Sequence, residues 1–157
     1  MRKDQFDPNA AISEMILLAR NAVVKNGVSV QTRLAGGLFP VQGDCVQLQQ
    51  VILNLILNAV EAMGSIQAGA RELLISTEQT ETNGVLVAVR DSGPGIDARA
   101  FQRIFEPFYT TKTQGVGMGL SICRSIINAH GGRLWADANK PRGAVFQFTL
   151  PGAEGGS

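Results

Sequence analysis

The sequence has one histidine and two cysteines among 157 residues. No cluster of His, Cys and carboxylates is visible, so a structural zinc is not expected. Cys45 and Cys123 lie far apart and form no Cys-x-x-Cys pair. They could make one disulfide, but a reduced, intracellular chain is the simpler reading. His130 stands at the predicted end of a helix, where the dipole favours positive charge. No serine or cysteine nucleophile signature accompanies it, so a capping or packing role is expected. Charge of one sign is also lacking. The net charge of +1 gives no electrostatic case for nucleic acid or an anionic membrane. No signal peptide opens the chain. No apolar run is expected to reach spanning length, because Asn54 and Asn58 interrupt the best candidate. No internal repeat is visible. These absences predict a soluble, cytoplasmic chain, or a soluble piece of something larger.

Hydrophobic residues make up 45% and charged residues 17%, the balance of a globular chain. The length fits one domain with a sizeable core. Residues 1–151 are read as that domain and 152–157 as a flexible, glycine-rich tail.

The stretch from Asp44 to Met63 reads as a buried helix with one polar stripe. Apolar residues appear nearly all round it, the pattern of a core helix. Yet Gln47, Gln50, Asn54, Asn58 and Glu61 follow at steps of three and four, on one face. A buried stripe of this kind needs hydrogen-bond partners or a ligand. Asparagine can offer a metal ion a neutral oxygen. An inert, solvent-facing stripe is the alternative.

Around that helix the elements follow in order. Asp7-Pro8 reads as an N-cap with proline at the first helical position, opening one amphipathic helix that stops near Gly27. Val28 to Leu34 and Leu38 to Val41 read as a hairpin through Ala35-Gly36-Gly37, with Pro40 marking an edge. Leu73 to Thr80 and Val85 to Arg90 form a second hairpin, signalled by Asn83-Gly84. Ala98 to Ile104 could be a short helix. Phe105 to Gly117 has no clear period and is expected to be a mobile loop. Gly119 to His130 is helical. Leu134 to Ala138 and Ala144 to Leu150 are two more strands. Antiparallel pairs dominate with helices on one face, an α+β two-layer sandwich.

Two glycine-rich stretches could carry chemistry. Asp91-Ser92-Gly93-Pro94-Gly95 closes a strand. Its glycines let a backbone approach a ligand, and its carboxylate could accept from the exocyclic amine of a base. An ordinary turn is the alternative. Gly115-Val116-Gly117-Met118-Gly119-Leu120 opens a helix, where free amides bind anions. It matches neither a Walker loop nor a Rossmann turn, and a hinge is the alternative. Lys112 could reach a phosphate as a point charge or be a solvated surface lysine.

Together these pieces resemble the catalytic ATP-binding domain of sensor histidine kinases. That domain belongs to an ATPase superfamily with DNA gyrase, the heat-shock chaperone and the mismatch-repair ATPase. Asn54-Leu55-Ile56-Leu57-Asn58-Ala59 looks like the asparagine box, and Asp91 to Gly95 like the first glycine box. Phe105-Glu106-Pro107-Phe108-Tyr109-Thr110-Thr111-Lys112 looks like the phenylalanine box. Gly115 to Leu120 looks like the second glycine box, and Arg142 to Pro151 like the closing strand. The resemblance covers roughly residues 5–151.

The resemblance implies a Bergerat-type fold with a mixed, mainly antiparallel sheet. It implies ATP and Mg2+ as cofactors, and transfer of the γ-phosphoryl group to a histidine on a separate dimerisation domain. Asn54 and Asn58 would be catalytic, with Asn58 on the magnesium ion. Asp91 would read adenine, with Gly93, Gly95 and Ile96 beside it. Lys112, Gly115, Val116, Gly117, Met118, Gly119 and Leu120 would face the nucleotide, and residues 105–117 would form a lid. Gyrase-like ATPases carry a glutamate base at the place of Asn54. Asparagine cannot take up that proton, which suits transfer to a side chain rather than to water.

Two positions depart from the pattern: Glu61 stands where many kinases have lysine, and Ala144 where relatives often have threonine. No acceptor-type His-Glu or His-Asp sequence before a proline is present. The expected partners are therefore a phosphoacceptor domain and, indirectly, a response regulator, with neither nucleic acid nor membrane. The domain alone is expected to be a monomer. A nucleotide-dependent interaction module without phosphotransfer is the second reading, and a gyrase-like ATPase the third.

Overall fold

The computed structural model describes residues 4–64, 69–94, 119–139 and 143–152. It opens with a strand, β1 (Asp4–Phe6). Three residues are too few to show an alternation, so the sequence pattern does not announce it. Asp7 then caps α1 (Pro8–Leu18), accepting the Asn9 amide at 2.9 Å. The single helix expected up to Gly27 is two. α2 (Arg20–Lys25) starts after Ala19, whose ψ of −1° loosens one turn. Ala19 keeps its bonds to Met15 and Val23, and the bend leaves it buried while Leu17 and Leu18 face outward.

The remaining elements are β2 (Ser29–Arg33), β3 (Val41–Gly43), α3 (Cys45–Gly64), β4 (Glu72–Gln79), β5 (Val85–Asp91), α4 (Gly119–Ala129), β6 (Arg133–Ala138) and β7 (Ala144–Leu150). A five-stranded sheet runs β2-β4-β5-β7-β6, and β1 and β3 form a separate pair. The pairings β4–β5, β5–β7 and β6–β7 are antiparallel, whereas β2–β4 is parallel. This is the expected α+β sandwich.

The first expected hairpin does not form. β2 turns to β4, and β3 pairs with β1. A closed polar network diverts the connection between them. The Ala35 amide donates to Thr77 Oγ1 at 2.9 Å, Asn9 Nδ2 donates to the Ala35 carbonyl at 2.7 Å, and Thr77 Oγ1 donates to Asn9 Oδ1 at 2.9 Å. Pro40, just before β3, has no amide to offer a ladder. Replacing Thr77 by valine strands two polar groups at once. Denaturant unfolding of Thr77→Val is expected to show a loss of about 1–3 kcal/mol.

The core lies between the sheet and its helices. Leu73 and Ile75, Val85, Val87 and Val89, and Phe146 and Phe148 alternate inward from their strands. Leu48, Val51, Leu55, Ile56 and Met63 of α3 meet them. Each such side chain contributes about 1.5–3 kcal/mol by leaving water. Contrary to the expectation from its asparagines, α3 has the length and mean hydropathy (1.2) of a bilayer-crossing helix. Here its apolar positions pack against α1, α4 and β5 instead.

His130 fastens the start of α3 to the end of α4. Its Nε2 accepts the Asp44 amide at 3.0 Å, and its Nδ1 lies 2.8 Å from the Ile126 carbonyl. The ring is thus a neutral Nδ1–H tautomer with both nitrogens engaged. Gly43 has no side chain because the ring occupies that space: a Cβ there would lie 2.6 Å from His130 Cδ2. The Asp44 side chain accepts the Gln47 amide at 3.1 Å, the expected N-cap. At the other end of the chain, Gly152 is buried and bridges Val41.

Candidate functional site

The polar stripe of α3 lies outside the buried face formed by Val51, Leu55, Ile56 and Met63. Gln47, Asn54 and Asn58 are half-buried, and Gln50 and Glu61 are exposed. Asn54 donates its amide to Cys123 Sγ at 3.6 Å. That bond ties the Asn54 side chain to α4. The Cys123 side chain is fully buried. Burial pushes its thiol up to about 11, with the Asn54 amide opposing. It stays protonated at neutral pH, a soft acceptor rather than a nucleophile.

α3 and α4 run antiparallel. One end is set by Asp44 against His130 and the middle by Asn54 against Cys123. Four residues on along α3 and four back along α4 therefore set Asn58 level with Gly119. Gly119 and Leu120, half-buried, form the first turn of α4. Among the described residues, a Cβ at Gly119 would meet nothing within 4 Å.

Past Asn58, the last turn of α3 meets the end of β5. Asp91 is 4% exposed; among the described residues, it and Thr77 are the buried polar or charged side chains. Its Oδ1 accepts the amides of Gly93 at 2.9 Å and Ala144 at 3.3 Å. Its Oδ2 accepts nothing from the described residues. Burial pushes the carboxyl above its ordinary value of 3.8, and the two amides oppose that shift. Gly93 is read from sequence as room for a ligand. Its space is also needed internally, since a Cβ would lie 3.1 Å from Asp91 Oδ1 and 3.3 Å from Met63 Cγ.

Ser92 ties this turn to β4. Its amide donates to the Glu72 carbonyl at 3.1 Å, and its hydroxyl accepts the Glu72 amide at 2.9 Å and donates to the Ala70 carbonyl at 2.8 Å. On the far side, Asn139 Nδ2 donates to the Asp91 carbonyl at 2.8 Å. Sequence reasoning named neither Asn139 nor Cys123 as part of the site. A lone asparagine after a strand and a cysteine inside an apolar helix face carry no motif. Ala144, one of the two departures, is buried; its backbone amide, not its side chain, reaches Asp91.

Of the expected site residues, Asn54 and Asn58 lie on one face of α3, Asp91 and Gly93 at the end of β5 beside the last turn of α3, and Gly119 and Leu120 at the start of α4. Gly95, Ile96, Lys112, Gly115, Val116, Gly117 and Met118 lie outside the described residues. So do the short helix expected at 98–104 and the loop at 105–117. A buried carboxylate can accept from the amine of a base, and the free amides of a helix start can bind anionic groups.

Residues 43–154 match the family model described as histidine kinase-, DNA gyrase B-, and HSP90-like ATPase. The chain is 44% identical over 83% of its length to sensor protein FixL of Bradyrhizobium diazoefficiens, of which it spans 25%. It superposes on the nucleotide-free catalytic domain of histidine kinase ThkA with a TM-score of 0.86 and 38% identity, covering 96% of each chain. It also superposes on full-length ShkA in complex with AMPPNP, with a TM-score of 0.84 and 26% identity, covering 96% of this chain and 31% of that one.

Proposed function

Because this chain belongs to the family of histidine kinase-, DNA gyrase B- and HSP90-like ATPases, as a sensor histidine kinase catalytic domain, we propose a specific division of labour. It binds Mg-ATP and delivers the γ-phosphoryl group to a histidine on a separate phosphoacceptor domain. One observation carries this reading. A buried aspartate beside the last turn of α3 has one oxygen held by two amides and the other unclaimed by the described residues.

Asp91 Oδ2 accepts the exocyclic amine of adenine. Gly119, whose missing side chain leaves space among the described residues, lets phosphates approach the start of α4. The family resemblance implies that Lys112 and the glycines Gly115 and Gly117 would also contact the phosphates. Asn58 offers its side-chain oxygen to the metal. No cluster of three or more His, Cys, Asp or Glu exists among the described residues, so no all-protein cage competes. A single neutral donor fits magnesium, which takes its remaining oxygens from phosphates and water. Bound there, the ion would offset charge on the transferring phosphoryl group. Asn54 is fixed by Cys123 and cannot act as a base, so water is not activated. The partner domain supplies nucleophile and alignment.

Incubation with radiolabelled ATP, magnesium and a phosphoacceptor domain tests the proposal. Label on the acceptor histidine, with negligible phosphate release by the chain alone, is the expected result. Nucleotide binding without labelling of any acceptor domain would favour the interaction-module reading. Steady hydrolysis by the chain alone would favour the gyrase type.

A further inference from the structure

β5 ends one residue beyond its pairing with β7. The last matched pair is Arg90 with Val145, so Asp91 has no partner on β7. Its carbonyl would be an unmet acceptor at the rim of the sheet. Asn139 supplies the missing donor, with Nδ2 at 2.8 Å from that oxygen. The Asn139 amide also donates to the Gly143 carbonyl at 3.0 Å. Gly143, at φ +106°, comes so near that any Cβ would overlap the Asp91 carbonyl oxygen. The next residue, Ala144, holds the Asp91 side chain through its amide. The connection from β6 to β7 thus grips main chain and carboxylate together, with Asn139 as its only side-chain contact among the described residues.

We propose that Asn139 is a positioning residue that sets base specificity. It holds the Asp91 peptide so that Oδ2 faces a 6-amino purine rather than a 6-oxo purine. The inference rests on the nucleotide reading above and adds a residue outside every motif of the family resemblance. A displacement of about 1 Å at the reading oxygen is enough to spoil a hydrogen bond to the base. A purine with oxygen at that position presents an acceptor to a carboxylate, and the fixed geometry is what keeps that mismatch costly.

The test compares ADP with inosine diphosphate by calorimetry, on the unaltered chain, Asn139→Ala and Asn139→Leu. Leucine keeps the size of asparagine and removes the donor. Both variants are expected to bind ADP about tenfold more weakly, with inosine diphosphate little changed, so that the preference shrinks by the same factor. A merely structural role would lower thermal stability and weaken both nucleotides equally. That outcome, or an unchanged preference in either folded variant, overturns the proposal. In the unaltered chain, the Asn139 side-chain amide resonances should shift with adenosine and not with pyrophosphate. The reverse pattern also overturns it, and this reading needs no variant to fold. If the unaltered chain binds neither diphosphate, the nucleotide reading itself fails. Binding with an intact preference in the variants sinks only the role of Asn139.

Discussion

Asn58→Ala is expected to slow labelling of an added phosphoacceptor domain by at least about 100-fold, the scale of losing a metal or transition-state contact. The cause is local. The side chain is half-buried on the open face of α3, so truncation leaves the apolar sides of the helix in place. Binding of adenosine without phosphates should be almost unchanged, because Asp91 lies beyond the next turn. Asn58→Asp should also fail, since a carboxylate adds charge beside the triphosphate. Initial rates with radiolabelled ATP across a magnesium titration check this. Normal labelling by Asn58→Ala would show that the metal assignment is wrong.

The second large effect is expected at Asp91. In Asp91→Asn the retained oxygen can still accept the Gly93 and Ala144 amides, so the turn should persist. The new amide, however, presents a donor to a donor on the base. ADP affinity should fall by about 100-fold, the scale of a hydrogen bond to a charged group plus an unmet polar contact.

The same residue predicts two opposing pH slopes. Its carboxyl is pushed above 3.8, chiefly by burial. Just above that pH the folded chain holds a proton that the unfolded chain has lost. The contribution of Asp91 to unliganded stability is therefore full at lower pH and declines as pH rises through the raised value. Nucleotide binding uses the carboxylate, so affinity should rise over the same window. Calorimetric titrations and melting curves between the ordinary carboxylate value and neutrality would show the two trends. An ADP affinity that falls with rising pH there would remove Asp91 from the site.

Local signals in the chain were readable where one stretch contains its own cause. Asp7-Pro8 caps a helix because both partners are two residues apart. Asn83, with φ of 64°, turns β4 into β5 as the Asn-Gly pair suggests. The period of α3 marks its buried sides, and its polar stripe marks the open one. The failures lie at longer range. β2 pairs with β4 in parallel across an intervening helix, and nothing within either strand names that partner. The expected first hairpin yields to Asn9, Ala35 and Thr77, which meet only after α1 docks.

By itself, then, the order of residues determined most of the element types, though neither β1 nor the break at Ala19, together with the two-layer class and the face of α3 that carries Asn54 and Asn58. Periodicity and capping act within a turn or two, and the chain carries that information in place. Only the tertiary structure decided that Cys123 orients Asn54, that His130 pins Asp44, and that Asn139 and Ala144 hold Asp91. Those contacts join residues 48 to 86 positions apart. They form when the apolar sides of α3 and α4 are buried against the sheet, which brings these polar groups within reach of one another.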